Sequence, residues 1–122
     1  MSSAAAQAYS RVATMTASPR ETEAKALLMA ANKLQDVMTN DQATRDQISH
    51  ALMFNRKLWS IFLGEALSDA SQQQIDVRQK VANIGVFVLS HTMALMVSPQ
   101  KAEFQPLIDI NRNIAAGLSG RA

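Results

Sequence analysis

Apolar residues recur at three- and four-residue steps along almost the whole chain, and this spacing constrains the fold more than any other feature. Alternation of apolar and polar residues, which is the pattern of a half-buried strand, is nearly absent. A helix presents residues three and four positions apart on the same face. The sequence therefore predicts an all-α fold in which each helix buries an apolar stripe.

Proline and polar clusters divide the first half of the chain into helical segments. A short first segment carries a stripe at three- and four-residue spacing: Ala5, Ala8, Tyr9, Val12 and Met15. A second segment begins at a capping sequence over residues 18–21 and breaks at residues 39–42. The third begins at Asn40 or at Thr44, where another capping box stands, and runs to about Ser68.

Two further segments follow. Residues 71–74 can cap a fourth helix, which extends to Val97 and stops before Ser98 and Pro99. The last segment has Pro106 near its start and Gly117 or Gly120 as its terminator. A chain of 122 residues with 48% hydrophobic and 18% charged residues usually has one core. We therefore expect residues 1–122 to form a single compact bundle of four to five helices with two long central helices.

Composition limits the compartment and the chemistry. The chain has no cysteine, so it can build neither a disulfide framework nor a thiolate metal site. Its first fifteen residues lack the charged and apolar regions of a secretory signal, and the cytoplasm is the default prediction. Residues Val81–Val97 are mostly apolar, but they are short for a membrane span and polar residues interrupt them. We expect no membrane insertion.

The third helix carries more apolar surface than a one-sided helix needs. One face holds the predicted core: Ile48, Leu52, Trp59, Phe62, Leu63 and Ala66. Phe54, Leu58 and Ile61 form a second ridge beside it. Either this helix is central and contacted on several sides, or the second ridge receives a partner helix in a groove. A second copy of the chain could cover the same ridge, so the oligomeric state is left open.

The fourth helix combines an apolar arc with a polar side. The arc comprises Ile75, Val81, Ala82, Ile84, Val88, Leu89, Leu95 and Met96. Phe87 falls among the polar residues, one turn from both Asn83 and His91. It is predicted either to be an exposed anchor for a partner or to lie under the last helix.

Two asparagines interrupt apolar stripes and each precedes an arginine. Asn55 and Asn111 are expected to be buried, and a buried amide without a partner costs about 1–3 kcal/mol. We predict that both are structural and bond to a neighbouring loop carbonyl or helix end. Arg56 would then emerge at the flank of its helix, facing solvent or an acidic partner.

Motifs for catalysis are missing from the sequence. His50 and His91 have no neighbouring motif of a metal site or a general base, and no glycine-rich phosphate loop or nucleophile elbow occurs. We therefore expect no enzyme activity, no metal and no cofactor. RNA binding ranks above catalysis, because several basic residues could form a patch beside an aromatic ring that stacks on bases: Arg45, Arg56, Lys57, Arg78 and Lys80.

Several stretches resemble the FlaF family of flagellar biosynthesis regulators from alphaproteobacteria. They are Tyr9 with Val12, SPRETEAKAL, ALMFNRKLWSIF, VANIGVFV and LIDINRNIAAGL, and together they span about residues 9–118. The entry to the fourth helix departs from the family, because Gln72–Ile75 stand where a leucine-proline step is expected. The resemblance implies a non-enzymatic, cytoplasmic role in flagellin production alongside the translation regulator FlbT.

Two mechanisms follow from this resemblance. In the first, the protein is an export chaperone or adaptor that docks an apolar flagellin helix. The positions of apolar residues around the helices give the anchor candidates: Phe54, Leu58, Ile61 and Phe87. In the second, it regulates flagellin translation by contacting FlbT or the flagellin mRNA through a basic flank: Arg56, Lys57, Arg78 and Lys80. We favour the first because the sequence has excess apolar helical surface and little concentrated positive charge.

Overall fold

A computed structural model describes residues 4–8, 19–68 and 74–120 of the chain, and within these ranges it contains helices and no strand. The long helices are α1 (Pro19–Thr39), α2 (Arg45–Leu67), α3 (Ile75–Val97) and α4 (Gln105–Leu118). A short 3₁₀ helix, Lys101–Phe104, precedes α4, and residues 4–8 are also helical. The all-α prediction is confirmed. The stripe residues Tyr9, Val12 and Met15, and the cap residue Ser18, lie outside the described ranges.

The start of α2 is set by a capping box at Thr44. The Thr44 hydroxyl accepts from the Gln47 backbone N–H at 3.1 Å, and the Gln47 side chain accepts from the Thr44 N–H at 2.9 Å. These bonds satisfy amide groups that have no partner within the helix. Of the two predicted starts, Thr44 is therefore the correct one. Asn40 instead closes the preceding turn, with its side-chain oxygen accepting from the Gln42 N–H.

The ends of α3 and α4 follow the punctuation in the sequence. Helix α3 ends at Val97, directly before Ser98 and Pro99. In α4, Pro106 occupies the first turn, where a missing N–H costs nothing. Gly120 has a φ of 72°, the left-handed conformation that glycine adopts easily, and its N–H donates to the Gly117 carbonyl. Gly120 is therefore the terminator.

The core lies where α1, α2 and α4 meet. Helix α1 packs mainly against α4, and α2 packs mainly against α3. The residues that are almost completely enclosed include Leu27, Leu34, Leu58, Trp59, Leu107 and Ile108. Phe104, in the 3₁₀ helix, is also fully buried, although the sequence pattern did not single it out. A break between two helices thus contributes one of the largest core side chains.

Candidate binding surface

A chain of hydrogen bonds between buried side chains joins α2, α3 and α4. The Trp59 indole N–H donates to Asn111 Oδ1 at 2.8 Å, and Asn111 Nδ2 donates to Asn55 Oδ1 at 2.7 Å. Asn55 Nδ2 reaches the Thr92 hydroxyl oxygen at 3.4 Å, and that hydroxyl donates to the Val88 carbonyl at 2.6 Å. We call these four side chains the polar ladder.

The polar ladder is enclosed by the core. Asn55, Thr92 and Asn111 have no exposed surface, and Trp59 is 1% exposed. The two asparagines bond to each other rather than to a loop carbonyl or helix end. The prediction that they are buried is confirmed, and the prediction of their bonding partners is wrong. The physical reason is that both asparagines stand inside the apolar stripes that pack together, where the facing amide is the nearest polar group. The ladder therefore fixes how α2 and α4 face each other.

The second ridge of α2 is mostly enclosed, which corrects its expected role as a docking ridge. Phe54 is 3% exposed and Leu58 is fully buried. The Lys33 ammonium of α1 lies 5.0 Å from the centre of the Phe54 ring, within the range of a cation–π contact. From these buried positions, neither Phe54 nor Leu58 can contact a partner protein. Helix α2 is the centrally placed helix, with neighbours that use both of its apolar ridges.

The other candidate residues of α2 lie nearer the surface. Ile61 and Arg56 are half-buried and Lys57 is exposed. Arg78, which was expected in the same basic flank, donates from Nε to the Ala66 carbonyl and from a terminal nitrogen to the Ser68 carbonyl, both at 2.8 Å. Its guanidinium caps the end of α2 from α3. Arg78 is therefore bonded within the protein and does not belong to the expected basic flank.

Helix α3 is the least buried of the long helices. Only Gly85, Val88, Thr92 and Leu95 are buried, and they lie along one line at three- and four-residue steps. Of the apolar arc predicted from the sequence, Val88 and Leu95 alone belong to this buried line. The remaining members of that arc are half-buried or exposed. Helix α3 therefore packs mainly on α2 along a narrow fully buried strip, which half-buried residues such as Val81 and Ile84 widen towards the core.

A second line of residues runs along one flank of α3, beside the buried line. Its members also follow three- and four-residue steps, and we call them the outer stripe: Ile75, Gln79, Ala82, Val86, Leu89, Met93 and Met96. Ile75 is 73% exposed and Val86 58%. At the amino-terminal end of the stripe, Leu67 of α2 and the stripe residues Ile75 and Ala82 line a hollow of about 290 Å³. Its most exposed large apolar members are Ile75, Val86 and Met93. Leu89 and Met96 are half-buried and pack against the core.

Phe87 lies on the opposite flank of α3 from the outer stripe, with Asn83 and Ser90 between them. It is 49% exposed, so of its two predicted positions the exposed one is correct. Its ring stacks on His91, with centroids 5.4 Å apart and an angle of 15° between the planes. His91 Nε2 in turn lies 2.9 Å from the Glu103 backbone carbonyl of the 3₁₀ helix. Phe87 is thus held in place by neighbours while one side of it faces solvent.

A small cavity of about 40 Å³ lies where all four long helices approach one another. Among the described residues, Glu23 of α1 and Glu65 of α2 are its ionisable lining groups, and the other lining side chains are apolar: Leu27, Trp59, Phe62, Val77, Val81, Ile114 and Leu118. Burial, and then the nearby Glu65 charge, raise the pKa of Glu23 to about 7, against a weaker lowering effect of Arg20. The sequence alone gave no sign that Glu23 is partly enclosed.

A larger and more open groove of about 480 Å³ lies between the end of α1 and the start of α2. Its polar lining mixes both charge signs, with Lys33, Asp36, Asp46 and His50 among its residues. Within the described ranges no three His, Asp or Glu side chains are grouped closely enough to hold a metal ion. This groove has no arrangement of a nucleophile with a base that would indicate catalysis.

Among the described residues, α3 alone is long and apolar enough to cross a membrane, judged by length and composition. Its exposed side nevertheless carries Gln79, Asn83 and Ser90. Hydrocarbon cannot satisfy the hydrogen-bonding groups of these side chains. The expectation of no membrane insertion remains a prediction.

Comparison with protein families gives one match over nearly the whole chain. The family described as flagellar protein FlaF matches residues 5–118. Comparisons with curated proteins and with solved structures give no match. The matched range includes the polar ladder, both faces of α3 and the Glu23 cavity.

Proposed function

Because the chain belongs to the FlaF family of flagellar proteins, we propose that it is a non-enzymatic adaptor that binds flagellin in the cytoplasm before export. The observation that carries this proposal is the set of exposed apolar side chains along the outer stripe of α3, Ile75, Val86 and Met93. Large exposed apolar surfaces on a small protein commonly mark sites of protein interaction. The proposed docking surface is therefore on α3, and not on the α2 ridge.

The outer stripe suits an amphipathic helix as its ligand. Its side chains recur at three- and four-residue steps over most of a 23-residue helix, so a facing helix can place its own apolar residues between them. Met93 is 51% exposed, and its flexible side chain can fit irregular partner surfaces. A flagellin segment covered in this way could not use the same apolar residues to associate prematurely with other flagellin subunits.

Calorimetric titration with purified flagellin tests the proposal. Val86→Asp places a charge in the middle of the outer stripe at a position that is 58% exposed, and it should weaken binding at least tenfold, which corresponds to about 1.4 kcal/mol. Ile61→Ala, on α2, removes apolar volume from the earlier candidate ridge and should leave the affinity within about twofold. Absence of heat with the wild-type protein, checked by co-sedimentation, would contradict the proposed function. Equal loss in both variants would contradict the placement on α3.

Regulation of translation through FlbT or flagellin mRNA is the second candidate. Lys57 and Lys80 are exposed and could contact an acidic partner, but Arg78 is engaged by the carbonyl groups that end α2. Charge-driven RNA binding weakens steeply as salt rises. Titration of flagellin leader RNA at two salt concentrations would favour this candidate if binding were tight and salt-sensitive and Lys57→Ala weakened it.

A further inference from the structure

We propose that the first half of α3, residues 75–84, is a flap that hinges at Gly85 and opens the Glu23 cavity when Glu23 loses its proton. The two halves of α3 are held differently. No residue from 75 to 84 is buried, whereas the second half contributes the whole buried line, from Gly85 to Leu95. Local opening occurs where few apolar side chains are enclosed. The first half of α3 is therefore the part of this helix that detaches most easily.

Gly85 stands at the boundary between the two halves. Glycine in a helix interior weakens the helix and leaves the backbone freer to bend. Hinges are formed by a few residues that absorb the change in backbone angles. Gly85 is itself seated on α2, because an added Cβ would lie 3.5 Å from Leu63 Cδ1 and 3.6 Å from Trp59 Cε3. The helix can therefore bend at Gly85 while its second half stays packed.

The flap is held along one edge and is open along the other. On the α2 side, the Arg78 guanidinium donates to the Ala66 and Ser68 carbonyls, both at 2.8 Å. On the α4 side, apolar side chains of the two helices line the cavity: Val77, Val81, Ile114 and Leu118. Helix α3 packs mainly on α2 and α4 mainly on α1, so the seam between α3 and α4 is the looser one. The flap can therefore swing away from α4 while Arg78 keeps it attached to α2.

Glu23 provides the force that moves the flap. Its carboxyl lines the cavity with that of Glu65, and burial, then the Glu65 charge, raise the pKa of Glu23 from 4.5 to about 7. With the flap open, water reaches the carboxyl and its pKa returns towards 4.5. The open state therefore binds fewer protons than the closed state between these values. Opening becomes easier as pH rises through about 7.

The charged groups around Glu23 leave the sign of this effect unchanged. Glu65 on α2 adds to it, and Arg20 on α1 opposes it more weakly. Helix α4 contributes only apolar side chains to the cavity. Among the described residues, none of the charged side chains of α3 lines the cavity: Asp76, Arg78 and Lys80. Ionised Glu23 therefore adds a second negative charge to an apolar cavity, and entry of water stabilises it.

Acrylamide quenching of Trp59 fluorescence in the full chain tests the proposal. Trp59 is the only tryptophan of the chain, is 1% exposed and lines the cavity, so the quencher reaches it when the flap opens. Because solvent screens a half-buried carboxylate in part, we expect the quenching constant to rise about threefold as pH passes through the transition. Glu23→Gln should keep the low value at every pH. A wild-type constant that does not change with pH would overturn the proposal.

Three further variants assign the transition to its titrating group. Glu21→Gln removes a charge from the same turn of α1 and should keep the wild-type transition. Glu65→Gln removes the facing charge and should move the midpoint to lower pH. His91→Gln should keep the transition, because His91 lies in the half of α3 that stays packed and bonds to the Glu103 carbonyl. A transition that persists in Glu23→Gln and disappears in His91→Gln would overturn the proposal.

Hydrogen exchange measured by mass spectrometry locates the moving segment. With labelling times scaled for the chemical exchange rate, peptides from residues 75–84 should lose protection above the transition, because so short a detached segment frays. Peptides from residues 86–97 should keep theirs. Gly85→Ala should reduce the amplitude of the quenching transition, and Gly64→Ala, which meets no atom within 4 Å, should not. Equal loss of protection in both halves of α3 would overturn the hinge. These measurements contain no flagellin, so their outcome is independent of the proposed function.

Discussion

Helices α2 and α3 have the same length and opposite relations to the core. Each has 23 residues, but α2 buries eight of them and α3 only four. Helix α3 nevertheless has the longer uninterrupted apolar run, residues 84–89, whereas Asn55, Arg56 and Lys57 interrupt the apolar residues of α2. Apolar content therefore does not determine burial. What determines it is the number of neighbouring helices, and α2 has neighbours on both of its ridges.

This contrast separates two uses of apolar surface. In α2 both ridges contribute to the stability of the monomer, and the buried amide of Asn55 has a partner on each side. In α3 the inner line, together with the half-buried Leu89 and Met96, holds the helix in place. The exposed members of the outer stripe contribute little to the monomer. Substitutions on α2 should therefore change stability, and substitutions on the outer stripe should change association.

The largest effect is expected at the polar ladder. Asn111→Leu leaves the Trp59 indole N–H and the Asn55 side-chain oxygen buried without hydrogen-bond partners. Each such group lowers the free energy of unfolding by about 1–3 kcal/mol. We expect the free energy of unfolding, measured with urea, to fall by about 2–6 kcal/mol. Asn113→Leu makes the same change at an exposed position two residues further on and should have an effect below about 0.5 kcal/mol. Similar losses in both variants would contradict the ladder.

A pair of truncations compares the two helices directly. Leu58→Ala on α2 removes three heavy atoms from a fully buried position and should cost about 2–5 kcal/mol of unfolding free energy. Val86→Ala on α3 acts at an exposed position and should change it by less than about 0.5 kcal/mol. The measurement is urea unfolding at a concentration where the protein is monomeric. A large loss in the Val86 variant would mean that the monomer itself covers the stripe.

The attachment of α3 to α2 can be weakened at Arg78. Arg78→Met keeps much of the side-chain volume but removes the two hydrogen bonds that the guanidinium donates to carbonyl groups at the end of α2. A buried hydrogen bond from a charged donor contributes about 1.5–3 kcal/mol. Because the site is only half-buried, water replaces part of what is lost, and we expect a total loss of about 1.5–2 kcal/mol, less than the sum for two fully buried bonds. Lys80→Met removes the same charge from an exposed position nearby. If Lys80→Met lowered the free energy of unfolding as much as Arg78→Met, loss of the hydrogen bonds from Arg78 to the end of α2 would not explain the effect.

The Glu23 cavity predicts a dependence of stability on pH. The pKa of Glu23 is raised from 4.5 to about 7 in the folded protein, so between these values the native state binds more protons than the unfolded state. Unfolding free energy should therefore fall as pH rises from about 4.5 to 7 and then level off. Glu23→Gln should reduce this slope and should be more stable than wild type above pH 7.

Urea unfolding at intervals across this pH range provides the measurement. Glu21→Gln removes the same charge from the exposed side of the same turn and serves as the matched control. The groups facing Glu23 are Glu65 on α2 and Arg20 on α1, while α3 and α4 contribute only apolar side chains to the cavity. An unchanged slope in the Glu23 variant would show that the carboxyl is solvated in the native state.

Most of the fold could be predicted from local sequence, because helix starts and stops depend on residues a few positions apart. Thr44, Pro106 and Gly120 act within one turn of themselves. The candidate surface could not be located in the same way. A helical wheel shows that Leu58 and Val86 are apolar, but it does not show which neighbour covers them. The Asn55–Asn111 pair spans 56 positions in sequence and depends on how the helices pack.

The smallest predicted effect examines how tightly α3 is seated on α2. Gly85 belongs to the buried line, and an added Cβ would lie 3.5 Å from Leu63 Cδ1 and 3.6 Å from Trp59 Cε3, which is ordinary van der Waals contact. Gly85→Ala should therefore stabilise the protein by about 0.5–1 kcal/mol through helix propensity, with a further gain from the added contacts. Gly64→Ala on α2 meets no atom within 4 Å and should gain from propensity alone. If Gly85→Ala were instead destabilising in urea unfolding, the strip that joins the two helices would be packed too closely for a methyl group. Helix α3 would then be a fixed part of the monomer rather than a peripheral helix held along a narrow strip.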